Sequence, residues 1–261
     1  MDSVNKTLYI PLYGKAQVSK RGIILSDPKA EEIWEANAFP LKGTARSKWL
    51  ALYMGMRAAV FDRWTAEAAR QEPEAVVLHL GCGLDARALR TGLENEWYDI
   101  DFPEVIEHRR QFFPEQGKYR LLGGDVREEG WLQSIPKGGT AIVVMEGISM
   151  YLTRQELVGL LSLLSGHFDR VRLLMDCYTE FAAKASRYKN PINEVGVTRV
   201  YGLDNPQLLT EGTGFRFVRE HEMTPDEMIG QLPGMERQIF RKLYAGALAR
   251  NLYRMYEYLS E

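Results

Sequence analysis

A chain of 261 residues, 45% hydrophobic, can bury one sizeable core, and a net charge of −2 leaves no broad basic field with which to neutralise nucleic-acid phosphates. Its two cysteines, Cys82 and Cys177, are too far apart for a close-spaced metal or redox motif, so no metal is expected and both read as small buried hydrophobes in a reducing compartment. No basic stretch followed by an apolar run opens the chain and every apolar run is strand length, so a cytoplasmic protein without a membrane span is expected.

Residues 1–45 carry recurrent proline and glycine (Pro11, Gly14, Gly22, Pro28, Pro40, Gly43) and read as irregular. A short helix over Lys29–Asn37 is the exception, with Asp27-Pro28 as its cap and first residue. A strong helix is predicted over 46–70, where Trp49, Tyr53, Met56, Val60 and Trp64 recur at three and four spacing. Its second row, Leu50, Met54, Arg57 and Phe61, places a guanidinium among apolar neighbours. Arg57 either snorkels out or is buried and needs an anion.

AVVLHL (75–80) is a short apolar run between turn signals, the pattern of a central parallel strand. Gly81-Cys82-Gly83 turns the chain, and Asp85 is placed to cap a short helix ending near Gly92. Strand two is Trp97–Ile100, a helix follows over Glu104–Phe113, and strand three is Tyr119–Leu122. A short helical piece over Trp131–Ile135 precedes strand four, AIVVM (141–145). Thr153-Arg154-Gln155-Glu156 has the capping-box pattern before a leucine-rich helix, and Val171–Met175 is strand five. This alternation defines an α/β fold with a doubly wound, mostly parallel sheet. Further on, 178–194 read as helical, VTRVYGL (197–203) and FRFVREHEM (215–223) as strands, and Glu236–Leu259 as a final helix. A single domain is expected: an N-terminal helical extension (1–72), a core (73–223) with an insertion near 178–196, and a C-terminal helix (224–261).

Ligands of such sheets lie beyond the carboxyl ends of the strands. Those ends carry Gly81, Gly83 and Asp85, then Asp99 and Asp101, then Asp125, then Glu146 and Tyr151, then Asp176. Helix capping explains one or two acids in that row but not all of them. GCGLDA with Asp101, 20 residues after Gly81, fits a dinucleotide fingerprint, so an NAD-dependent oxidoreductase stays open. S-adenosylmethionine makes the same demand for a glycine turn and a ribose-binding acid. The long helical lead before the turn, the GGDV after strand three and the acidity of the rim tilt the choice toward the sulfonium cofactor.

VVLHLGCGLDARALR, YDIDFPEVIEHRR, GGDV and EGISMYL, in this order, resemble the leucine carboxyl methyltransferase family, in its branch of bacterial tetracenomycin-type polyketide O-methyltransferases. The resemblance runs from about Thr7 to Leu203. It implies a class I S-adenosylmethionine-dependent methyltransferase fold of seven strands, the last antiparallel. It also implies that Gly81 and Gly83 underlie the cofactor, Asp101 binds its ribose, Asp125 and the Val126 backbone hold its adenine, Glu146 faces its methionine part, and Arg57 and Lys15 reach its carboxylate. His79, where many methyltransferases carry an acid, reads as a structural histidine.

The activity so implied is O-methylation of a carboxylate or phenolic hydroxyl on a small, polyketide-like molecule. A carboxylate is already ionised at neutral pH, whereas a phenol needs help to lose its proton. No histidine falls at an obvious strand end, which favours an acid substrate or catalysis by proximity alone. Tyr151 is expected to line the transfer site, Tyr178 and Tyr201 to form an aromatic wall, and Arg199 to orient a substrate carboxylate. A monomer or homodimer is expected, with neither nucleic acid nor membrane as partner. A non-catalytic S-adenosylmethionine-binding protein is the alternative outside enzymology.

Overall fold

A computed structural model describes residues 7–41, 43–186 and 199–261. In chain order the elements are α1 (Tyr9–Lys20), α2 (Pro28–Ala36), α3 (Lys48–Gln71), β1 (Val76–Leu80), α4 (Arg87–Thr91), β2 (Trp97–Asp101), α5 (Pro103–Arg110), β3 (Tyr119–Gly123), β4 (Thr140–Met145), α6 (Arg154–His167), β5 (Arg170–Tyr178), α7 (Glu180–Ala185), β6 (Phe215–Glu220), α8 (Asp226–Ile229), α9 (Gly234–Tyr244), α10 (Gly246–Arg250) and β7 (Tyr253–Ser260). The seven strands form one sheet in the order β3-β2-β1-β4-β5-β7-β6. Strands β1 to β5 pair in parallel, and β7 runs antiparallel to both β5 and β6.

Both faces of the sheet are covered, which is why its central strands read as continuous apolar runs. Along β4, Ala141, Val143 and Met145 point into one core with the α6 leucines, while Ile142 and Val144 point into the other with Met56, Val60 and Trp64 of α3. Ser47 accepts from Trp49 N at the start of α3, and the Thr153–Glu156 capping box starts α6.

The N-terminal stretch departs from its irregular reading: 9–20 is helical. Pro11 sits in the first turn of α1, where an amide has no intrahelical acceptor to lose. Gly14 marks a contact rather than a break. A Cβ there would lie 2.7 Å from Met54 Cβ, so α1 approaches α3 as closely as a glycine permits. Asp85 does not cap α4. Ala86 precedes that helix without a side-chain cap, and the Asp85 carboxylate is spent on Lys15, Arg87 and Arg90.

The C-terminal region also differs. The helix expected over 236–259 divides into α9 and α10, and the chain then enters β7. Leu252, Met255 and Leu259 have helical spacing, but Tyr253, Tyr256 and Tyr258 between them favour a strand. Residues 255–260 are all buried, so neither face shows a polar period. Of the strand expected over 197–203, residues 197 and 198 lie outside the described residues. The rest makes only a bridge between Gly202 and Tyr178. The expected insertion near 178–196 holds the end of β5 and α7, and beyond residue 186 it too lies outside the described residues. No described helix is long and apolar enough to cross a membrane.

Candidate cofactor and acceptor site

A cavity of ≈ 980 Å³ opens at the carboxyl ends of β1, β2, β4 and β5, under a cover of α1 and α3. At one end is the glycine turn after β1. Asp101 ties this turn to β2: its Oδ2 accepts from Gly83 N at 2.8 Å and its Oδ1 from Phe102 N at 2.8 Å. Burial pushes the Asp101 carboxyl up to about 6, against these two amides and Arg109, which favour its ionised form. Asp125, after β3, lines the same end and accepts from Arg127 Nε at 2.9 Å. That hydrogen bond holds its carboxyl below the ordinary range.

The turn is also gripped from below by Arg109, which sequence reasoning missed. Fully buried on α5, its guanidinium donates to the carbonyls of Gly83 (2.9 Å) and Asp85 (2.6 Å) and pairs with Asp99. Burial opposes ionisation of Asp99, but Arg109 and His79 outweigh it and hold the acid at about 2. His79 lies between Asp99, 3.2 Å from its Nδ1, and Arg87, 3.2 Å from its Nε2. A guanidinium can only donate, so Nε2 accepts and Nδ1 carries the proton to Asp99. Burial lowers the histidine further, and it stays neutral. Its reading as structural fits this double restraint.

Arg57 is 4% exposed. Its Nε reaches Glu146 and its Nη1 reaches Asp176, each at 3.0 Å. Of the two alternatives for this residue, the structure selects burial with anions. Glu146 is shared with Arg87, and Arg87 with Asp62, which also binds Arg90. Arg90 reaches Asp27 and Asp85, and Lys15 pairs with Asp85 at 3.1 Å. Arg57 Nη2 makes no hydrogen bond among the described residues, and Lys15 has donors beyond its single ion pair. This lattice ties α1 and α3 to the strand ends. The row of acids and the misfit of Arg57 in its apolar row hinted at it, but no local pattern announces a buried Arg87 or Arg90.

The opposite end of the cavity is apolar and aromatic. Leu50, Tyr53 and Met54 of α3 line it with Tyr151 and Tyr178. The long β6–β7 connection adds Leu243, Tyr244, Ala249 and Leu252, and β7 adds Tyr253, contributions the expected C-terminal helix concealed. Of the residues singled out from sequence, Lys15, Arg57, Gly81, Gly83, Asp101, Asp125, Glu146, Tyr151 and Tyr178 share this one cavity. Val126, Arg199 and Tyr201 are not among its lining side chains. Val126 packs on the core, Tyr201 N donates to Met150 O behind the wall, and the exposed Arg199 stacks over the Tyr201 ring at 5.2 Å.

The sheet order, the glycine turn and the acids at successive strand ends define a class I methyltransferase fold. A Thermobifida fusca protein described as a putative methyltransferase shares it, with a TM-score of 0.60 at 12% identity over 95% of this chain and 94% of its own. So does magnesium protoporphyrin IX methyltransferase from Synechocystis, solved with bound SAH, with a TM-score of 0.53 at 14% identity over 88% and 94%. A sequence model of leucine carboxyl methyltransferase matches residues 11–165, and the chain belongs to that family. It is an S-adenosylmethionine-dependent methyltransferase. Among curated proteins it is 28% identical to the tetracenomycin polyketide synthesis O-methyltransferase TcmP of Streptomyces glaucescens, over 92% of this chain and 90% of the relative. It is 29% identical to the S-adenosyl-L-methionine-dependent methyltransferase dpfgK of Gibberella zeae, over 66% and 63%.

Proposed function

We propose that this protein methylates a carboxylate or phenolic oxygen of a small, polyketide-like molecule, with a carboxylate as the preferred acceptor. The observation that carries this reading is the single cavity in which an acid-and-glycine end adjoins an aromatic chamber. The first end fits S-adenosylmethionine. Each Asp101 oxygen accepts one amide and retains a lone pair for a ribose hydroxyl. Asp125 and the backbone of Val126 serve the adenine, with Gly81 beneath the cofactor. Arg57 Nη2 and Lys15 Nζ serve its carboxylate, and Glu146 faces its methionine part. When bound, S-adenosylmethionine supplies an electrophilic methyl on a sulfonium that departs as a neutral thioether, so no acid is needed for the leaving group.

The preference for a carboxylate rests on the acceptor end. Among the described residues lining the chamber there is no lysine, cysteine or histidine, and the nearest carboxylates, Glu146 and Asp176, are bound to Arg57. An acceptor that arrives ionised requires only alignment and partial desolvation there. Tyr151 and Tyr178 are then walls of that chamber. Calorimetric titration tests the cofactor reading: binding of S-adenosylmethionine with no binding of NADH is expected, and the reverse sinks it. Incubation with labelled S-adenosylmethionine and a panel of aromatic acids and phenols tests the acceptor.

A pH dependence follows from Asp101. Ribose hydroxyls donate to a carboxylate, so binding favours its ionised form. Cofactor affinity is expected to be full above pH 7 and to fall as pH drops through about 6, approaching about tenfold per pH unit for one proton taken up. Titrations of S-adenosylmethionine between pH 5 and 8 read this directly. A flat profile would mean that Asp101 does not accept from the ligand.

A further inference from the structure

Tyr53, Tyr151, Tyr178 and Tyr253 bring four phenols to the acceptor end from four separate segments: α3, the turn after β4, the end of β5 and the start of β7. The Tyr53 and Tyr151 hydroxyls have partners. Tyr53 directs its hydroxyl to Met223 Sδ at 3.5 Å, and Tyr151 shares a hydrogen bond with Thr7. The Tyr253 hydroxyl has no hydrogen-bond partner among the described residues. Its ring, however, is held firmly. Tyr253 stands opposite Tyr178 in the β5–β7 register, meets that ring edge-on with centroids 4.5 Å apart and an interplanar angle of 82°, and leans on Tyr53 at 6.1 Å. Such packing fixes where a hydroxyl points before any ligand arrives.

We propose that Tyr253 is an acceptor-binding residue whose hydroxyl donates a hydrogen bond to the oxygen-bearing group of the substrate, holding it at the junction of the two ends of the cavity. This inference rests on the reading of the chamber as the acceptor site. The junction is located by geometry: Tyr253 lines the same cavity as Arg57 and Glu146, leans on Tyr53, one turn before Arg57 on α3, and stands opposite Tyr178, two residues after the Asp176 that binds Arg57. Burial raises this phenol well above its ordinary range, so it remains a donor at every physiological pH. For a carboxylate, the tyrosine holds one oxygen, keeps its proton and leaves the other oxygen free. A neutral donor orients the anion without locking it in an ion pair, which suits a chamber whose nearest cation, Arg57, is already committed to two acids.

The test uses the full chain loaded with S-adenosylhomocysteine and anthraquinone-2-carboxylate as the acceptor probe, with binding read by calorimetry. Tyr253→Phe keeps the ring against Tyr178 and removes only the oxygen. It is expected to weaken probe binding about tenfold, the scale of one hydrogen bond to a charged group, while cofactor-product affinity and melting temperature stay at the parent values. Tyr258→Phe, whose hydroxyl donates to Pro206 O away from the cavity, is the comparison variant and should leave probe binding unchanged. Equal probe affinity in Tyr253→Phe and the parent overturns the inference and leaves the acceptor reading standing. Loss of cofactor-product binding in Tyr253→Phe also overturns it, by assigning the hydroxyl a structural role. If the loaded parent binds S-adenosylhomocysteine but not the probe, the reading of the chamber as an aromatic-acid site falls and takes the inference with it.

Discussion

Replacing Arg57 by alanine is expected to cost roughly 3–5 kcal/mol of folding stability, because it leaves two buried carboxylates, Glu146 and Asp176, without the cation they share. The two acids it serves are not equivalent. Glu146 retains Arg87 as a second partner, whereas Arg57 is the only ion-pair partner of Asp176 among the described residues. In the parent, burial opposes ionisation of Glu146, but Arg57 and Arg87 together hold it at about 2. Its contribution is therefore complete above its ordinary value of 4.5 and is lost only as pH falls toward about 2. Asp176 is raised by burial despite Arg57. Without the arginine it rises further and takes up a proton that the unfolded chain does not. The variant is then least stable relative to the parent at high pH and recovers as pH falls, as for any group whose folded value is raised. Urea denaturation at pH 5 and pH 8 measures the sign. Arg57→Ala combined with Asp176→Asn should recover part of the loss, which a double-mutant cycle quantifies. Arg57→Lys should fall between, since one ammonium cannot span two carboxylates as a guanidinium fork does. A stability loss under 1 kcal/mol for Arg57→Ala would show that the acids find water or new partners.

The same residue shows what was legible in the sequence. Arg57 stood out because a charge interrupted an apolar row of a long helix, a conflict that left two outcomes, snorkelling or burial against an anion, and the structure shows the second. Strands β1 and β4 were legible because parallel strands buried on both faces leave short, mostly apolar runs between turns. Arg109 and Arg87 gave no such signal. Each lies in a charged stretch, HRR and DARALR, that looks like a solvated helix surface. Only the three-dimensional convergence of Asp99, the Gly83 and Asp85 carbonyls, Asp62 and Glu146 buries them. α1 was hidden by Pro11 and Gly14, one harmless in a first turn and the other serving a partner helix that local reading cannot see. β7 was hidden because its spacing also fits a helix. Tyr151 and Tyr178 were named from the sequence, but the Tyr253 part of the aromatic wall disappeared with β7, since Tyr253 acquires its place from strand pairing with Tyr178.

Substituting Gly81 by alanine is expected to be the most damaging single-methyl change at the cofactor end. Gly81 has φ +69°, where an L-residue costs about 1–2 kcal/mol. Its added Cβ would lie 2.0 Å from Ile148 Cγ2, a separation that requires one side to move. Neither moves freely. The turn is fixed by Gly81 N and Cys82 N donating to Ile100 O, by Gly83 N donating to Asp101, and by Arg109 gripping the Gly83 carbonyl. Ile148 follows Glu146 by two residues, and its carbonyl accepts from Tyr151 N at 2.9 Å, so displacing it disturbs both ends of the cavity. Overpacking of this kind adds about 1–3 kcal/mol. The expected result is a loss of about 2–5 kcal/mol in stability, with S-adenosylmethionine affinity reduced by more than about tenfold, or ~1.4 kcal/mol. Adding Ile148→Ala separates the two causes: it relieves the crowding but leaves the cost of the left-handed backbone. If Gly81→Ala alone melted and bound cofactor like the parent, the turn would have to shift despite two backbone and two side-chain hydrogen bonds, and the glycine would owe its place to neither strain nor contact.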